Sequence, residues 1–298
     1  MKLLLFGANG QIGWELRRAL APVGELLALT RNMEGGDLGC ISEVARVLRQ
    51  FRPNVIVNAA AYTNVDSAES ESEVAHQINA RAPAALAKLA CETGAWLVHY
   101  STDYVFDGTG RTPWREGDAT AAINVYGASK FEGEEAIKAS GCLYLIFRTS
   151  WVFGIRGRNF PKTILRLAAE REIIQIVNDQ FGSPTGAELI ADATAHAIRE
   201  AIQRPGVSGL YHLTASGETS WYDYAYFILE MARRRGAGDS LTPLAILPVP
   251  TADYPTPATR PLNSRLDTHR FTQTFNLRLP PWETGVANFL TEILDHSS

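Results

Sequence analysis

A tyrosine and a lysine stand four positions apart in the stretch NVYGASK. Residues i and i+4 are neighbours on one helix face, so Tyr126 and Lys130 could act on the same bound molecule. The preceding stretch HYSTDYVFDG contributes Thr102 and Asp103. A tyrosine can protonate a developing alkoxide when a nearby ammonium lowers its pKa, and a threonine hydroxyl can hold the reacting oxygen. The spacing alone is equally typical of a surface tyrosine and a solvated lysine, so the remaining sequence has to decide.

Composition restricts the classes of protein to consider. Of the 298 residues, 46% are hydrophobic and 20% are charged, as in ordinary globular proteins. A formal net charge of -4 without a Lys/Arg run argues against a nucleic-acid surface. No apolar stretch reaches membrane-spanning length, and the first apolar run is too short for a signal peptide. Because Cys40, Cys91 and Cys142 are odd in number and widely spaced, we expect reduced thiols and a cytoplasmic location.

Short apolar runs alternate with helical patterns in the first half of the chain. The runs, each typical of a buried parallel strand, cover residues 2–6, 25–30, 54–61, 95–101 and 143–153. Strand alternating with helix predicts an α/β fold with a Rossmann-like, doubly wound parallel sheet.

The first predicted strand runs directly into GANGQIG, with glycines at Gly7, Gly10 and Gly13. Such a turn lets backbone approach a pyrophosphate, whose charge the N–H groups and dipole of the following helix stabilise. Asn58 and the alanines 59–61 end the third run with small residues, where a ligand at the sheet edge would need room. The spacing is not the dinucleotide G-x-G-x-x-G, and tight helix packing would give the same residues. The position after the first strand nevertheless favours a dinucleotide site.

The end of the second strand bears on the choice of cofactor. An acidic residue there would hydrogen-bond a ribose 2′-hydroxyl, whereas an arginine accommodates a 2′-phosphate. Thr30 and Arg31 stand at this point, which favours NADPH, although Asp37 could still reach the ribose. With such a cofactor in place, Lys130 could also hydrogen-bond the nicotinamide ribose.

The second half of the chain is patterned differently. Its helical patterns cover residues 160–171, 186–203 and 220–235. The segment 243–261 is punctuated by prolines and cannot form a regular helix. We therefore expect an NAD(P)-binding Rossmann domain at 1–150, rejoined by 174–205. Residues 151–298 are expected to form mainly a smaller C-terminal α/β domain that binds substrate.

At these residues the sequence resembles the extended short-chain dehydrogenase/reductase superfamily, and more narrowly the dTDP-4-dehydrorhamnose reductase family. The matching segments, in order along the chain, are GQIGWEL, VNAAAYTNVDSAE, STDYVFDG, NVYGASK, FRTSWVF, NDQFGSPTGAEL, GLYHL and TRPLNSRLD. The resemblance covers essentially the whole chain. An ordered series of this kind is far more specific than one Tyr-x-x-x-Lys motif.

The resemblance implies roles for individual residues. The implied catalytic set is Thr102, Tyr126 and Lys130, with Asp103 adjacent. The residues predicted to bind cofactor, on this ground or from the strand ends, are Gly7, Asn9, Gly10, Gln11, Ile12, Gly13, Arg31, Asp37, Leu38, Ala59, Ala60, Ala61, Tyr126 and Lys130. The residues implied around a nucleotide sugar are Thr102, Asp103, Tyr104, Trp151, Gln180 and Arg260.

Two of the implied sugar-site residues also have ordinary interpretations. Trp151 lies in an apolar context that suits a core aromatic equally well. Pro257 and Pro261 stiffen the loop around Arg260, which favours binding of a substrate diphosphate, although loop arginines are usually solvated.

The residue after Asp103 bears on the reaction. Sugar-nucleotide dehydratases share the fold and most of these motifs, but their threonine is followed by an Asp-Glu pair that serves elimination. Here Tyr104 follows Asp103, so plain carbonyl reduction fits better. The resemblance therefore implies NADPH-dependent reduction of the C4 keto group of dTDP-6-deoxy-L-lyxo-4-hexulose to dTDP-L-rhamnose. Two alternatives stay open: another nucleotide-sugar reductase or epimerase, and a non-catalytic protein like the methionine adenosyltransferase regulatory subunit.

Acidic residues give the one indication of a metal. Glu188 and Asp192 lie at i, i+4, Glu15 opens the first helix, and oxygen ligands would suit Mg²⁺. From spacing alone, a solvated acidic helix face is the better interpretation. The resemblance adds that some bacterial family members bind Mg²⁺ at these positions in a dimer interface, so a homodimer is a further expectation. The six histidines form no close ligand pair and are predicted to be packed or exposed side chains.

Overall fold

The computed structural model describes residues 1–235 and 245–295. The strands are β1 (Lys2–Phe6), β2 (Glu25–Leu29), β3 (Val55–Asn58), β4 (Trp96–Thr102), β5 (Tyr144–Thr149), β6 (Val152–Phe153), β7 (Ile173–Val177), β8 (Phe181–Gly182), β9 (Thr185–Gly186), β10 (Gly209–His212), β11 (Thr219–Ser220) and β12 (Ala245–Val249). The α-helices are α1 (Gln11–Leu20), α2 (Ile41–Phe51), α3 (Val65–Ser70), α4 (Ser72–His76), α5 (Ala82–Thr93), α6 (Val125–Ala139), α7 (Phe160–Glu170), α8 (Ala187–Gln203), α9 (Trp221–Arg234), α10 (His269–Phe275) and α11 (Trp282–Asp295). Residues 243 and 244 and His296, which the sequence predictions included, lie outside the described residues.

A parallel sheet of six strands forms the centre of the molecule, in the order β10-β5-β4-β3-β1-β2. Successive side chains of a strand point to opposite faces. Leu3 and Leu5 of β1 therefore pack in the core that includes α1 and α8, whereas Leu4 and Phe6 pack in the core that includes α2 and α5. Because helices cover both faces, the strands are mainly apolar, with polar residues toward their carboxyl ends. The predicted α/β, Rossmann-like, doubly wound fold is confirmed.

The strand register brings the ends of neighbouring strands together at one edge. Asn58 of β3 lies opposite Phe6 of β1 on one side and His99 of β4 on the other. Thr102, the last residue of β4, lies opposite Thr149, the last residue of β5. Since all these strands are parallel, the loops that follow them open on the same side of the sheet.

Two predicted strands are shorter in the structure than in the sequence analysis. The run at 54–61 becomes β3, which ends at Asn58 and leaves the three alanines outside the strand. The run at 143–153 is not one strand, because Trp151 takes a left-handed backbone conformation with φ of 48°. The chain turns there, and β6 pairs with β9 in a separate two-stranded sheet.

The second half of the chain builds a core of its own and also returns to the first. Helices α7, α9 and α11 pack together with β7 around Ile174, Tyr224 and Phe289. Helix α8 instead packs along α1, and β10 extends the central sheet beside β5. The predicted division into domains at residue 150 stays a prediction. From residue 245 onward the proline-punctuated segment forms β12 and a short 3₁₀ turn, and no α-helix up to residue 261.

No helix in residues 1–235 and 245–295 is both long enough and apolar enough to cross a membrane.

Candidate active site

A cleft of about 750 Å³ lies between the carboxyl edge of the central sheet and the second core. The predicted residues that line it are Gly10, Gln11, Ile12, Ala59, Ala60, Ala61, Thr102, Asp103, Tyr104, Tyr126, Lys130 and Trp151. The structure therefore gathers the glycine turn, the three alanines and the proposed catalytic residues around one space.

The three glycines of the turn have different reasons to be glycine. Gly7 has a φ of 77°, and a Cβ on it would lie 2.6 Å from the backbone nitrogen of Ala60. A Cβ on Gly13 would lie 2.0 Å from the backbone oxygen of Gly7. These two positions are thus explained by tight packing alone. Gly10 faces the cleft as N-cap of α1, without a side-chain cap, so the first N–H groups of the helix are open to an anion.

The remaining predicted cofactor residues lie outside the lining of the cleft. Asn9 is exposed, and Leu38 is buried in the core beneath β2 and α2. Arg31 is largely exposed, and its Nε lies 3.6 Å from Oδ2 of Asp37. The two residues that were expected to favour different cofactors are therefore paired with each other at the end of β2.

Local geometry brings Tyr126 to the end of β4. Asn124 caps α6 by accepting a 2.8 Å hydrogen bond from the N–H of Gly127, which sets Tyr126 in the first turn of the helix. A Cβ on Gly127 would lie 2.1 Å from the backbone oxygen of Tyr104, so only glycine permits this close approach. The rings of Tyr104 and Tyr126 then meet edge to face at 5.8 Å.

Burial determines the protonation of the groups around Tyr126. It raises the pKa of the Tyr126 phenol above its usual value, and the carboxylate of Asp103 adds to the rise while a hydrogen bond with Thr102 opposes it. The prediction that this pKa is lowered is wrong, because desolvation by burial is the largest cause of the shift. Burial also raises the pKa of Asp103 to about 7. At neutral pH Tyr126 carries its proton, as a proton donor must.

The hydroxyl of Thr102 is already engaged by neighbouring groups. Its Oγ1 donates to Oδ1 of Asp103 over 3.0 Å and accepts from the backbone N–H of Tyr104 over 3.1 Å. Oδ2 of Asp103 is buried with no partner among the described residues. A ligand oxygen near Thr102 would therefore meet a hydroxyl whose direction is fixed by the carboxyl group beside it.

Lys130 is buried at the base of the cleft. Its Nζ donates to the backbone oxygen of Tyr100 over 2.6 Å and lies 3.2 Å from Nε2 of His99. Burial lowers the pKa of Lys130 to about 8, and the carboxylate of Glu134 opposes this effect. Glu134 in turn accepts two hydrogen bonds, of 2.6 and 2.8 Å, from Arg148. Lys130 is thus held by hydrogen bonds to Tyr100 and His99, and its charge changes near pH 8.

An aromatic pair forms the opposite wall of the cleft. The rings of Trp151 and Trp221 stack at 3.6 Å between centroids, and both residues line the cleft. The left-handed backbone of Trp151 directs this stacking, and Gly182 leaves the space that the Trp151 ring occupies. Gln180 does not line the cleft, but its Oε1 accepts from Nε1 of Trp221 over 3.1 Å. Trp151 is therefore part of a flat aromatic surface, which an isolated core aromatic would not provide.

Arg260 lies beside the cleft in an ion pair. Two of its nitrogens donate to the two carboxylate oxygens of Asp66, over 2.9 and 2.7 Å, and one also donates to the backbone oxygen of Ala258. The side chain of Arg260 is 23% exposed and does not line the cleft. Its predicted contact with a substrate diphosphate stays a prediction.

The three carboxylates of the predicted magnesium site surround an arginine. Arg18 lies 2.9 Å from Asp192, 3.5 Å from Glu15 and 4.0 Å from Glu188. Within the part of the chain that the structure describes, no group of three or more His, Cys, Asp or Glu side chains could hold a metal ion. A guanidinium lies between these three acids, and their assignment to magnesium stays a prediction.

Sequence reasoning missed several residues of the cleft. Trp221 and Arg158 line it, and His99 lies directly behind Lys130. A polar residue in a strand that is buried on both faces must find a partner, so His99 could have been noticed in AWLVHYS. Nothing in the sequence around Trp221 distinguishes it from a core aromatic.

Comparison with known proteins agrees with this geometry. Residues 1–294 match the family model described as RmlD substrate binding domain. The chain belongs to this family. The dTDP-4-dehydrorhamnose reductase of Salmonella typhimurium is 56% identical over 295 residues, which cover 98% of each chain.

Solved structures of similar proteins share the whole fold. A dTDP-4-dehydrorhamnose reductase from Clostridium acetobutylicum matches with a TM-score of 0.88 and 32% identity, over 99% of this chain and 100% of its own. The enzyme from Bacillus anthracis, in complex with NADP, matches with a TM-score of 0.87 and 36% identity, over 98% and 99%. The resemblance to the dTDP-4-dehydrorhamnose reductase family is confirmed.

In this member of the RmlD substrate binding domain family, two hydroxyl groups in the cleft are free to bind a ligand. Ser101 Oγ and Thr149 Oγ1 lie there, buried and without a hydrogen-bond partner among the described residues. Buried hydroxyls are normally satisfied, so these two are available to a bound ligand. Together with the open start of α1, they fit a nicotinamide dinucleotide lying across the carboxyl edge of the sheet.

Proposed function

We propose that this protein uses NADPH to reduce the C4 keto group of dTDP-6-deoxy-L-lyxo-4-hexulose, which gives dTDP-L-rhamnose. One observation carries the proposal: Thr102, Tyr126 and Lys130 lie in the same cleft as the open N-terminus of α1. The names of the relatives supply the substrate, since the Salmonella typhimurium protein is a dTDP-4-dehydrorhamnose reductase. The Bacillus anthracis relative binds NADP, which supports NADPH as the cofactor.

Each catalytic residue of the cleft has a different role in the reaction. When bound, the reduced nicotinamide supplies a hydride to C4 of the sugar. Tyr126 is half-buried and protonated, so it can give its phenolic proton to the oxygen that becomes the C4 hydroxyl. Thr102 can hold that oxygen beside the phenol after its hydroxyl, which donates to Asp103 in this structure, turns toward the substrate. The ammonium of Lys130 stabilises the phenolate that remains and can hydrogen-bond the cofactor ribose.

Recognition of the nucleotide sugar falls to the opposite wall. The stacked pair of Trp151 and Trp221 offers a flat apolar surface to a base or a sugar ring. Arg260 interacts electrostatically with Tyr104 and is positioned by Asp66, so we assign the diphosphate to its partly exposed guanidinium.

The number of carboxylates in the cleft favours plain reduction over elimination. Among the described residues that line the cleft, Asp103 is the single carboxylate. Removal of water from a sugar needs both an acid and a base besides the tyrosine, and Tyr104 stands where dehydratases carry the second carboxylate. A different nucleotide-sugar reductase or epimerase remains the alternative enzyme, and a regulatory subunit the non-catalytic one.

A panel of 4-keto nucleotide sugars separates these functions. Each sugar is incubated with NADPH, oxidation is followed at the nicotinamide absorbance, and the products are identified. We expect turnover to be fastest with the dTDP-linked 6-deoxy-L-lyxo sugar. Faster turnover of another nucleotide sugar would identify that sugar as the substrate instead. If no sugar causes oxidation of NADPH, a regulatory protein is favoured.

Three expectations from the sequence stay predictions: a homodimer, a magnesium ion at its interface and a cytoplasmic location. For magnesium, Arg18 would have to leave Glu15, Glu188 and Asp192, because its guanidinium lies between them.

A further inference from the structure

His99 connects Lys130 to Asn58 in the interior of the central sheet. None of these three side chains is more than 2% exposed. Nε2 of His99 lies 3.2 Å from Nζ of Lys130, and Nδ1 lies 3.1 Å from Nδ2 of Asn58. Oδ1 of Asn58 accepts from the backbone N–H of Ala60 over 3.1 Å, and Ala60 lines the cleft. One chain of contacts therefore runs from the lysine to the backbone at the cofactor side of the cleft.

The imidazole in this chain is neutral. Burial lowers the pKa of His99 well below its usual value, and the charge of Lys130 lowers it further. A neutral imidazole has one nitrogen that donates and one that accepts. The two neighbours of the ring consequently receive opposite kinds of hydrogen bond.

With Lys130 as a neutral amine, all the contacts are compatible. Nε2–H of His99 donates to the amine, and Nδ1 accepts from the amide of Asn58. The amide is oriented for this role, because its oxygen is taken by the N–H of Ala60. Each polar atom in the chain then has a complementary partner.

With Lys130 as an ammonium, the hydrogen bonds must change. The ammonium donates to Nε2, so the single ring proton resides on Nδ1 and now faces the amide nitrogen of Asn58. Two donors in contact are unfavourable, and turning the amide relieves this by presenting its oxygen to the ring. That turn withdraws the acceptor from the N–H of Ala60. The extra proton on the lysine comes from solvent, and the number of protons on the ring stays at one.

We propose that His99 positions Lys130, and that His99 and Asn58 together couple the charge of the lysine to the hydrogen bonding of the Ala60 N–H. An ammonium has three N–H bonds, and the contacts with Tyr100 and His99 use two of them. One N–H is left for a ligand in the cleft, so the ammonium can donate a hydrogen bond to that ligand in one direction only. The catalytic consequence rests on the proposed function, whereas the coupling itself needs no substrate.

Other ionisable groups around Lys130 do not replace His99 in this role. Glu134, one turn further along α6, favours the ammonium, and its own charge is countered by Arg148 from β5. Asp103, after β4, and Tyr126, one turn earlier in α6, line the cleft on the ligand side. His99 is the titratable side chain that is hydrogen-bonded to Nζ from behind the cleft.

Nitrogen NMR of the ring tests the coupling directly. The ¹⁵N shifts of His99 in the whole protein, assigned by their loss in His99→Gln, report which ring nitrogen carries the proton. We expect a neutral ring whose proton moves from Nδ1 to Nε2 as pH rises through the Lys130 pKa of about 8. In Lys130→Met the ring should keep one tautomer throughout. A single tautomer across that range in the wild type, or the same pH response in Lys130→Met, would overturn the coupling.

Turnover tests the positioning role. We expect His99→Leu to lower kcat by about 10- to 100-fold, the usual worth of a hydrogen bond to a charged group, and to shift the pH profile of kcat. His99→Gln should recover part of the loss, because its amide oxygen can accept from Lys130. His212→Leu is the matched control, since His212 is also fully buried in the sheet and contacts Trp114 instead of Lys130.

Specific outcomes decide against the positioning role. A folded His99→Leu protein with wild-type kcat and pH profile would contradict it, as would equal turnover of the Leu and Gln variants. If His99→Leu does not fold, the NMR measurement on the wild type still decides the coupling. If the wild type turns over none of the sugars, the proposed function fails while the NMR result stands.

Discussion

The two walls of the cleft are built from different kinds of side chain. Around the end of β4 and in α6, Asp103 and Lys130 are almost completely buried, and burial brings their pKa values to about 7 and about 8. On the opposite side, Trp151 and Trp221 are half-buried, and Arg158 is exposed on the loop before α7. The first wall holds ionisable groups with altered protonation, and the second offers aromatic surface and an accessible charge.

This difference separates chemistry from recognition. The ionisable wall is attached to a strand end and a helix, which fix its atoms within hydrogen-bond distances of one another. The aromatic wall is assembled from a turn after β5, the start of α9 and neighbouring loops, which can vary without disturbing the sheet. Substitutions on the first wall should therefore reduce kcat, and those on the second should raise KM for the sugar.

The largest effect is expected for Tyr126→Phe on the ionisable wall. Loss of a positioned proton donor should lower kcat by about two to four orders of magnitude, with NADPH affinity retained. Single-turnover oxidation of NADPH measures the step. Tyr211→Phe is the control, because that tyrosine is buried away from the cleft and donates to the backbone oxygen of Val207. Near-normal turnover of Tyr126→Phe would show that the residue is not the proton donor. It would also contradict the claim that the ionisable wall controls kcat.

A smaller, differently directed effect is expected for Trp221→Ala on the aromatic wall. Stacking of an aromatic side chain on a base is worth about 1–3 kcal/mol, so KM for the nucleotide sugar should rise about 10- to 100-fold. NADPH affinity and kcat should change little. Trp221→Phe keeps a ring but loses the hydrogen bond to Gln180, and it should fall between wild type and Trp221→Ala. If Trp221→Ala changes kcat and leaves KM unaltered, this wall does not serve recognition.

The pair of Arg260 and Asp66 allows a sharper test of recognition. If Arg260 binds the diphosphate, Arg260→Ala should raise the dissociation constant of dTDP by about tenfold, as expected for a charge-assisted hydrogen bond. Asp66→Asn should not weaken dTDP binding, because it frees the guanidinium from its carboxylate. Calorimetric titration with dTDP measures both variants. Equal weakening in the two would show that the pair only holds the loop in place.

The smallest effect is expected at the end of β2, away from both walls. Arg31 is 80% exposed, so Arg31→Ala should lower kcat/KM for NADPH by only about three- to tenfold and leave NADH unchanged. Asp37→Asn removes the carboxylate beside Arg31 and should increase the preference for NADPH. Thr30→Asp should shift the preference toward NADH. A wild-type preference for NADH would show that the strand end was wrongly interpreted.

The sequence predicts the ionisable wall better than the aromatic wall, for a physical reason. Thr102, Tyr126 and Lys130 lie within one strand, one connection and one helix, so spacing and periodicity are enough to bring them together. Trp151 and Trp221 come from segments 70 positions apart by number, and their stacking depends on the positive φ of Trp151 and the space left by Gly182. Neither condition is visible in a linear pattern.

The pKa shifts and the ion-pair partners of individual residues were the least predictable features. The sequence suggests a lysine that lowers the pKa of Tyr126, but burial raises it, and burial is a property of the whole fold. Arg18 likewise enters the acidic group of Glu15, Glu188 and Asp192 from one turn along α1. Five strands of the central sheet were predictable, because their buried runs are continuous. The sixth strand, β10, and the turn at Trp151 that ends β5 were not predicted.

Transfer of a labelled hydride tests the central claim most directly. The wild-type protein is incubated with dTDP-6-deoxy-L-lyxo-4-hexulose and NADPH that carries deuterium at the transferable position of the nicotinamide, and the product is analysed by NMR and mass spectrometry. The account predicts dTDP-L-rhamnose with a single deuterium at C4 of the sugar. Deuterium at another carbon, an unlabelled product, or unconsumed NADPH would contradict it.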